Sequence, residues 1–216
     1  GDESDESKNP PNGAKSNIRD NRTLSFLGIL YNLRGLKKNL CDQAFRDEFV
    51  DGGTNGYDIV GWAEPQRACN YAVEGYIVYH SPRCLAGFSK KKGGFSILLR
   101  GQALNFGPTR LTDDVPPETV SILFTNGGIF GLETEVVLVG SYVSNDPKVY
   151  NKYVSKLGCT LLEAISNYIY KHRSNGREVL FIGDLNAYTG TLAGWDGTET
   201  ILASAYTPGR RRSDCT

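Results

Sequence analysis

The segment Phe181-Ile182-Gly183-Asp184-Leu185-Asn186-Ala187 puts two hydrogen-bonding side chains two residues apart at the end of an apolar run. In extended backbone, residues two apart point to the same side. Asp184 would supply a negative carboxylate there, and Asn186 a neutral amide that both donates and accepts. Such a pair suits a phosphate held beside a metal ion or a water. The same spacing also makes an Asx turn, with both side chains capping local backbone, and spacing alone leaves the two readings level. A second carboxylate, Glu64 in Trp62-Ala63-Glu64-Pro65, follows another apolar run. Mg²⁺ is held by one or two carboxylates plus waters and substrate phosphate, and Glu64 fits that role. Asn32, in Tyr31-Asn32-Leu33-Arg34-Gly35-Leu36, could orient a carboxylate or a phosphate oxygen. Tyr142, in Gly140-Ser141-Tyr142-Val143, could donate its phenol to a phosphate. Taken singly, these three read more simply as a solvated charge, a turn-forming Asn and a packed strand aromatic.

The elements that would position these groups follow from hydrophobic periodicity. Residues 1–22 are polar and contain Asp2-Glu3-Ser4-Asp5-Glu6-Ser7 and Pro10-Pro11; with little apolar surface to bury, such a stretch is expected to be disordered. A buried strand is predicted over 24–31 and a helix over 40–50, with Leu40, Ala44, Phe45 and Phe49 on one side. Further strands are predicted over 57–62, 76–79, 95–99, 120–124 and 135–143, the last two joined by a turn at Asn126-Gly127-Gly128. One long helix is predicted next. Asp146 caps it, Pro147 opens it, and Asn175-Gly176 stops it. Its stripe is Tyr150, Tyr153, Val154, Leu157, Leu161, Ile165 and Ile169. A short apolar strand over 179–182 then delivers Gly183-Asp184.

The 216 residues fit one domain. Lys plus Arg and Asp plus Glu are 24 each, so the formal net charge is zero, and contact with nucleic acid would need a local basic surface. Lys90-Lys91-Lys92 reads as a solvated hairpin tip, and Arg210-Arg211-Arg212 leaves both a phosphate contact and a frayed end open. The five cysteines, Cys41, Cys69, Cys84, Cys159 and Cys215, have neither knuckle nor redox spacing and read as scattered thiols of an intracellular protein. No apolar run is long enough to span a membrane. The chain has no Met and ends without a closing element pattern, which suggests a frame broken at both ends.

The order of the pieces says more than any one of them. Asn32, Glu64 after a Tyr57-Asp58-Ile59 strand, Gly93-Gly94 leading a strand, Tyr142 ahead of a helix, and Gly183-Asp184-Leu185-Asn186-Ala187 resemble the endonuclease/exonuclease/phosphatase superfamily. The match is most like the endonuclease domains of non-LTR retrotransposons and their craniofacial-development-like relatives. Thr189-Gly190 and Arg212-Ser213-Asp214 agree with it. The resemblance implies a domain over 23–216 with a DNase I-like α/β fold, two mixed sheets packed as a sandwich flanked by helices and incomplete at the C-terminal end. It implies that Asn32 supports the site, Glu64 binds Mg²⁺ (or Mn²⁺), Tyr142 contacts the scissile phosphate, Asp184 orients or deprotonates the attacking water, and Asn186 holds phosphate. It further implies DNA as substrate, a nuclear location, and a reverse transcriptase in the same polypeptide of the intact parent.

The chain departs from the family in three places. Pro65 stands where Thr is usual, Leu185 stands where Phe is usual, and nothing matches the family's terminal Asp-His pair. The two histidines present, His80 and His172, read as surface residues of a loop and of a helix end. The chain alone is therefore expected to be inactive or nearly so, with open sheet edges where the family's last strands would lie. A phosphoesterase for small substrates on the same fold stays open, as does a non-catalytic module that binds nucleic acid or protein.

Overall fold

The computed structural model describes residues 28–39, 41–49 and 57–186. The predicted polar tail, the domain boundary at 23, Thr189-Gly190, the Arg210 cluster and Cys215 lie outside the described residues.

Among the described residues, eight strands form two four-stranded sheets. The first sheet takes β1 (Gly28–Asn32), β2 (Ile59–Ala63), β3 (Ile77–Ser81) and β4 (Phe95–Leu99), in the order β1-β2-β4-β3. The second takes β5 (Pro108–Leu111), β6 (Thr119–Phe124), β7 (Val136–Tyr142) and β8 (Glu178–Asp184), in chain order. Each sheet contains one parallel pair, β1 with β2 and β7 with β8, among antiparallel neighbours. A parallel pair cannot be closed by a hairpin and needs a crossover. The first crossover contains the short helices α1 (Leu36–Asn39) and α2 (Gln43–Phe49); the second is made by α3 (Pro147–Leu157) and α4 (Leu161–Ser174). The sheets pack face to face, as the fold class predicted.

Between the sheets Phe95, Ile97 and Leu99 of β4 meet Val120, Ile122 and Phe124 of β6 and Val136 and Leu138 of β7, all buried. Alternate residues point inward along each strand, and each fully buried apolar side chain contributes roughly 1.5–3 kcal/mol. Val60, Trp62 and Leu98 face the other way and pack with Leu36 and Phe45 under the first crossover. Val149, Tyr153, Leu161 and Ile165 cover the second sheet from outside.

Several elements differ from the sequence expectation. The long helix is two. Gly158 closes α3 in the left-handed region at φ +73°, its N–H bonded to the Val154 carbonyl, and Thr160 with Glu163 forms a capping box that opens α4. The apolar spacing runs through the break, which hid it. Val149, not the exposed Tyr150, starts the buried stripe, and Tyr168 and His172 extend it. The predicted helix over 40–50 is met by α2 alone, and α1 ahead of it went unpredicted; Phe45 is buried but Ala44 is exposed. Strand β1 is largely exposed rather than buried, with Leu30 and Tyr31 open to solvent, because it is the edge of its sheet among the described residues. Strand β8 is half-buried for the same reason. Strand β5, which carries a Pro and an Arg, went unpredicted. His80 is no loop residue: it lies in β3, 1% exposed. His172 is buried as well.

Candidate active site

Each parallel pair ends at the same end of the sandwich, and four strand ends meet there. Asn32 ends β1, Ala63 ends β2 with Glu64 next, Tyr142 ends β7 and Asp184 ends β8. Asn32 pairs in register with Ala63, and Tyr142 with Asp184. Two side-chain hydrogen bonds link these strand ends from one sheet to the other. The Asn32 amide donates to the Asp184 carboxylate at 2.5 Å, and the Tyr142 hydroxyl donates to the Glu64 carboxylate. Register and hydrogen bonds therefore link Asn32, Glu64, Tyr142 and Asp184 into one ring.

Glu64 is set by its backbone. Its φ is +52°, a left-handed state that costs a non-glycine residue about 1–2 kcal/mol. Two bonds hold it there: its N–H donates to the Gly94 carbonyl at 3.1 Å, and its carbonyl accepts the Gly35 N–H at 3.0 Å. The residue is thus clamped between the loop after β1 and the loop before β4. Tyr142 is buried. Burial first, then the Glu64 carboxylate beside it, raises its phenol well above the ordinary range, so it stays protonated and donates.

Asp184 and Asn186 do not share an extended strand. The strand stops at Asp184, and Asn186 turns left-handed at φ +44°. The Asp184 carboxylate accepts the Asn186 N–H at 3.0 Å, which is an Asx turn, while the Asn186 side-chain amide donates to the Val143 carbonyl at 2.8 Å. The local turn and the cross-sheet bond from Asn32 coexist because a carboxylate has two oxygens, and each takes one donor. The five predicted site residues are brought together at this end.

The donors at this end are oxygens of Glu64 and Asp184 and the amide of Asn32, with no thiol or imidazole in the ring. Hard oxygen donors of this kind fit Mg²⁺ or Mn²⁺. Among the described residues no group of three or more His, Cys, Asp and Glu side chains could hold a metal by itself, so an ion here would rest on one or two carboxylates with water and substrate.

Two features escaped the sequence reading. A cleft of about 660 Å³ opens beside Asn32 and Glu64, and its lining includes Arg34, Lys37, Arg67 and Lys91 but no carboxylate. These cations come from three separate stretches of chain, one of them running into α1, so no single run of basic residues announces them; Lys91 belongs to the cluster that reads as a hairpin tip. The other is Glu118, fully buried ahead of β6 and ion-paired with buried Arg83 at 2.7 Å. Pro116-Pro117 before a strand is its only sequence signal.

No family model and no curated protein matches the chain. Among solved structures it is similar to the endonuclease domain of TRAS1, a telomere-specific non-LTR retrotransposon, at a TM-score of 0.43 and 18% identity. That match covers 74% of this chain and 58% of the other. It is also similar to truncated Caenorhabditis elegans TDP2, at a TM-score of 0.31 and 17% identity, over 61% of this chain and 50% of the other. The chain thus spans between half and three-fifths of the length of these two structures.

Proposed function

We propose that this chain carries the metal-binding end of a Mg²⁺-dependent phosphodiesterase that cuts DNA, of the non-LTR retrotransposon endonuclease kind. The observation that carries the reading is the ring itself: two carboxylates, an amide and a phenol, delivered by four strand ends from two sheets and tied across by hydrogen bonds. A structural salt-bridge network would pair carboxylates with Arg or Lys. Here their side-chain partners are neutral donors.

Each residue has a role in this reading. Glu64 holds the ion, which when bound neutralises charge on a phosphate oxygen. Asp184 aligns an attacking water and takes its proton, and Asn32 fixes which way that carboxylate faces. Asn186 contributes the second N–H of its amide to a phosphate oxygen. Tyr142, kept protonated, has one O–H, which orients Glu64 in the free protein and would turn to the phosphate of a bound substrate. Mn²⁺ would substitute for Mg²⁺. The four cations of the adjoining cleft favour a substrate with several phosphates in line, as in a nucleic acid strand, over a small phosphoester. A reverse transcriptase in the same polypeptide and a nuclear location belong to the same proposal.

The chain has two histidines, and neither imidazole joins the ring of site residues. His80, enclosed in β3, lies near this end, but its nitrogens face the Ser96 hydroxyl and the Arg67 carbonyl. His172 sits near the start of β8, the opposite end of that strand from Asp184. Turnover by this chain alone is therefore proposed to be absent or slight, and binding to persist. The reading is tested by titrating the chain with Mn²⁺, followed by electron paramagnetic resonance, beside a plasmid-nicking assay in Mg²⁺. Binding should weaken at least tenfold in Glu64→Gln, with nicking near background. Mn²⁺ binding indifferent to Glu64→Gln sinks the site assignment. Robust nicking abolished by Asp184→Ala sinks the claim of inactivity.

A further inference from the structure

One buried carboxylate grips both arms that deliver the ion ligand. Glu118 is 0% exposed and sits at φ +52°. One carboxylate oxygen accepts Arg83 Nε and the Tyr153 hydroxyl, each at 2.7 Å. The other accepts the Gly94 N–H at 2.7 Å. Its backbone carbonyl accepts the Tyr142 N–H at 3.2 Å. Gly94 in turn holds Glu64 through its carbonyl, and Tyr142 holds the Glu64 carboxylate through its hydroxyl.

From this geometry we infer that Glu118 is a positioning residue for the ion site, setting Glu64 through the Gly93-Gly94 loop and through Tyr142. The loop is built around the charge. Gly93 lies at φ +74°, and a Cβ there would come within 2.4 Å of both Arg83 Nη2 and Glu118 Oε2. Only a glycine brings backbone that close, which is what lets the Gly94 N–H reach the carboxylate. A buried ion pair is a poor stabiliser, because desolvating two charges offsets most of their attraction. A pair kept here for stability alone would have no need to bond Gly94. Arg83 neutralises Glu118, and the spare lone pairs of the carboxylate are spent on Tyr153 and Gly94.

The inference rests on Glu64 being the ion's ligand, and a double-mutant cycle on the whole chain separates the two. Mn²⁺ affinity is read by electron paramagnetic resonance, at constant pH, for the chain as given, Glu118→Gln, Glu64→Gln and the double variant. Glu118→Gln should lower affinity about tenfold or more, the range for groups that orient a metal ligand. In the Glu64→Gln background it should change nothing further, since its effect passes through Glu64. A loss of equal size in both backgrounds shows a merely structural role and overturns the inference. Unchanged affinity in Glu118→Gln, with loss in Glu64→Gln, also overturns it and leaves the ion site standing. Full affinity in Glu64→Gln removes both. Should Glu118→Gln alone fail to fold for want of a partner for Arg83, Arg83→Leu with Glu118→Gln removes both charges together and is expected to show the same loss.

Discussion

Asn32 and Asp184 stand 152 residues apart in the chain and are joined by a 2.5 Å bond from amide to carboxylate. The bond links the ends of β1 and β8, the edge strands of two different sheets, so it ties the sandwich together at the site. Asn32→Ala should cost about 0.5–1.5 kcal/mol, the ordinary value of one such bond. Asn32→Asp should cost more at pH 7.5, since it sets a second carboxylate against the first. The gap should narrow near pH 4, where a protonated Asp can donate again. Urea midpoints of the three proteins at the two pH values check this; equal stabilities at pH 7.5 would show that the bond does not form.

His80 predicts a pH dependence of folding. Its Nε2 lies 3.1 Å from the Arg67 carbonyl and its Nδ1 2.8 Å from the Ser96 hydroxyl, which also accepts from Tyr71. Burial lowers its pKa below 6.5, with Arg110 and Arg67 adding to the shift against the backbone bonds that raise it. The same direction holds for His172, through burial, Arg177 and Lys171. A histidine whose pKa is depressed on folding binds more protons when unfolded. Its contribution is present above pH 6.5 and is lost as pH falls toward the folded value. Stability should therefore decline from pH 7.5 to 5.5, and less steeply in His80→Asn than in the chain as given. Identical slopes would show that His80 titrates normally.

Sequence periodicity recovered most of the strands because each buried strand is a nearly unbroken apolar run: β2, β4 and β7 are buried at every position. It missed β5, whose exposed Thr109 and Arg110 carry no such signal. It merged α3 and α4 because Gly158 leaves the stripe in phase. The positions of Asn32, Glu64, Tyr142 and Asp184 were legible because each follows or ends a run that must stop at the surface. What joins them was not, since Asn32 to Asp184 and Tyr142 to Glu64 are long-range contacts. Glu118 was invisible for a different reason: a charged residue after two prolines reads as a solvated turn until the fold buries it against Arg83.

The two sheets meet closely at Gly140. A Cβ there would sit 2.3 Å from Phe95 Cε1 and 2.9 Å from Ile97 Cδ1, both wholly buried. Its φ is not positive, so the objection to a side chain is space alone. Gly140→Ala should destabilise the fold by about 1–3 kcal/mol through overpacking. Because Phe95 neighbours Gly94, the shift should also disturb the Glu64 clamp and weaken Mn²⁺ binding. Pairing it with Phe95→Leu, which opens room on the ring, should recover much of the stability. Thermal denaturation of the two variants decides it, and a Gly140→Ala protein as stable as its parent would mean the sheets are not in contact there.

The basic cleft gives the most direct test of the substrate. Formal net charge is zero, so attraction to a polyanion must come from placement. Arg34 and Lys91 line the cleft beside Asn32 and Glu64. Lys171 lies near the start of β8, the far end from Asp184, in an exposed pair with Asp114. Binding of a labelled DNA duplex, followed by anisotropy, should weaken as salt rises. The slope of log affinity on log salt should fall by about 0.9 for each phosphate contact removed. Arg34→Glu and Lys91→Glu should each weaken binding and flatten that slope, whereas Lys171→Glu should do neither. If Lys171→Glu matches the cleft variants, the attraction is diffuse and the cleft is not where the strand lies.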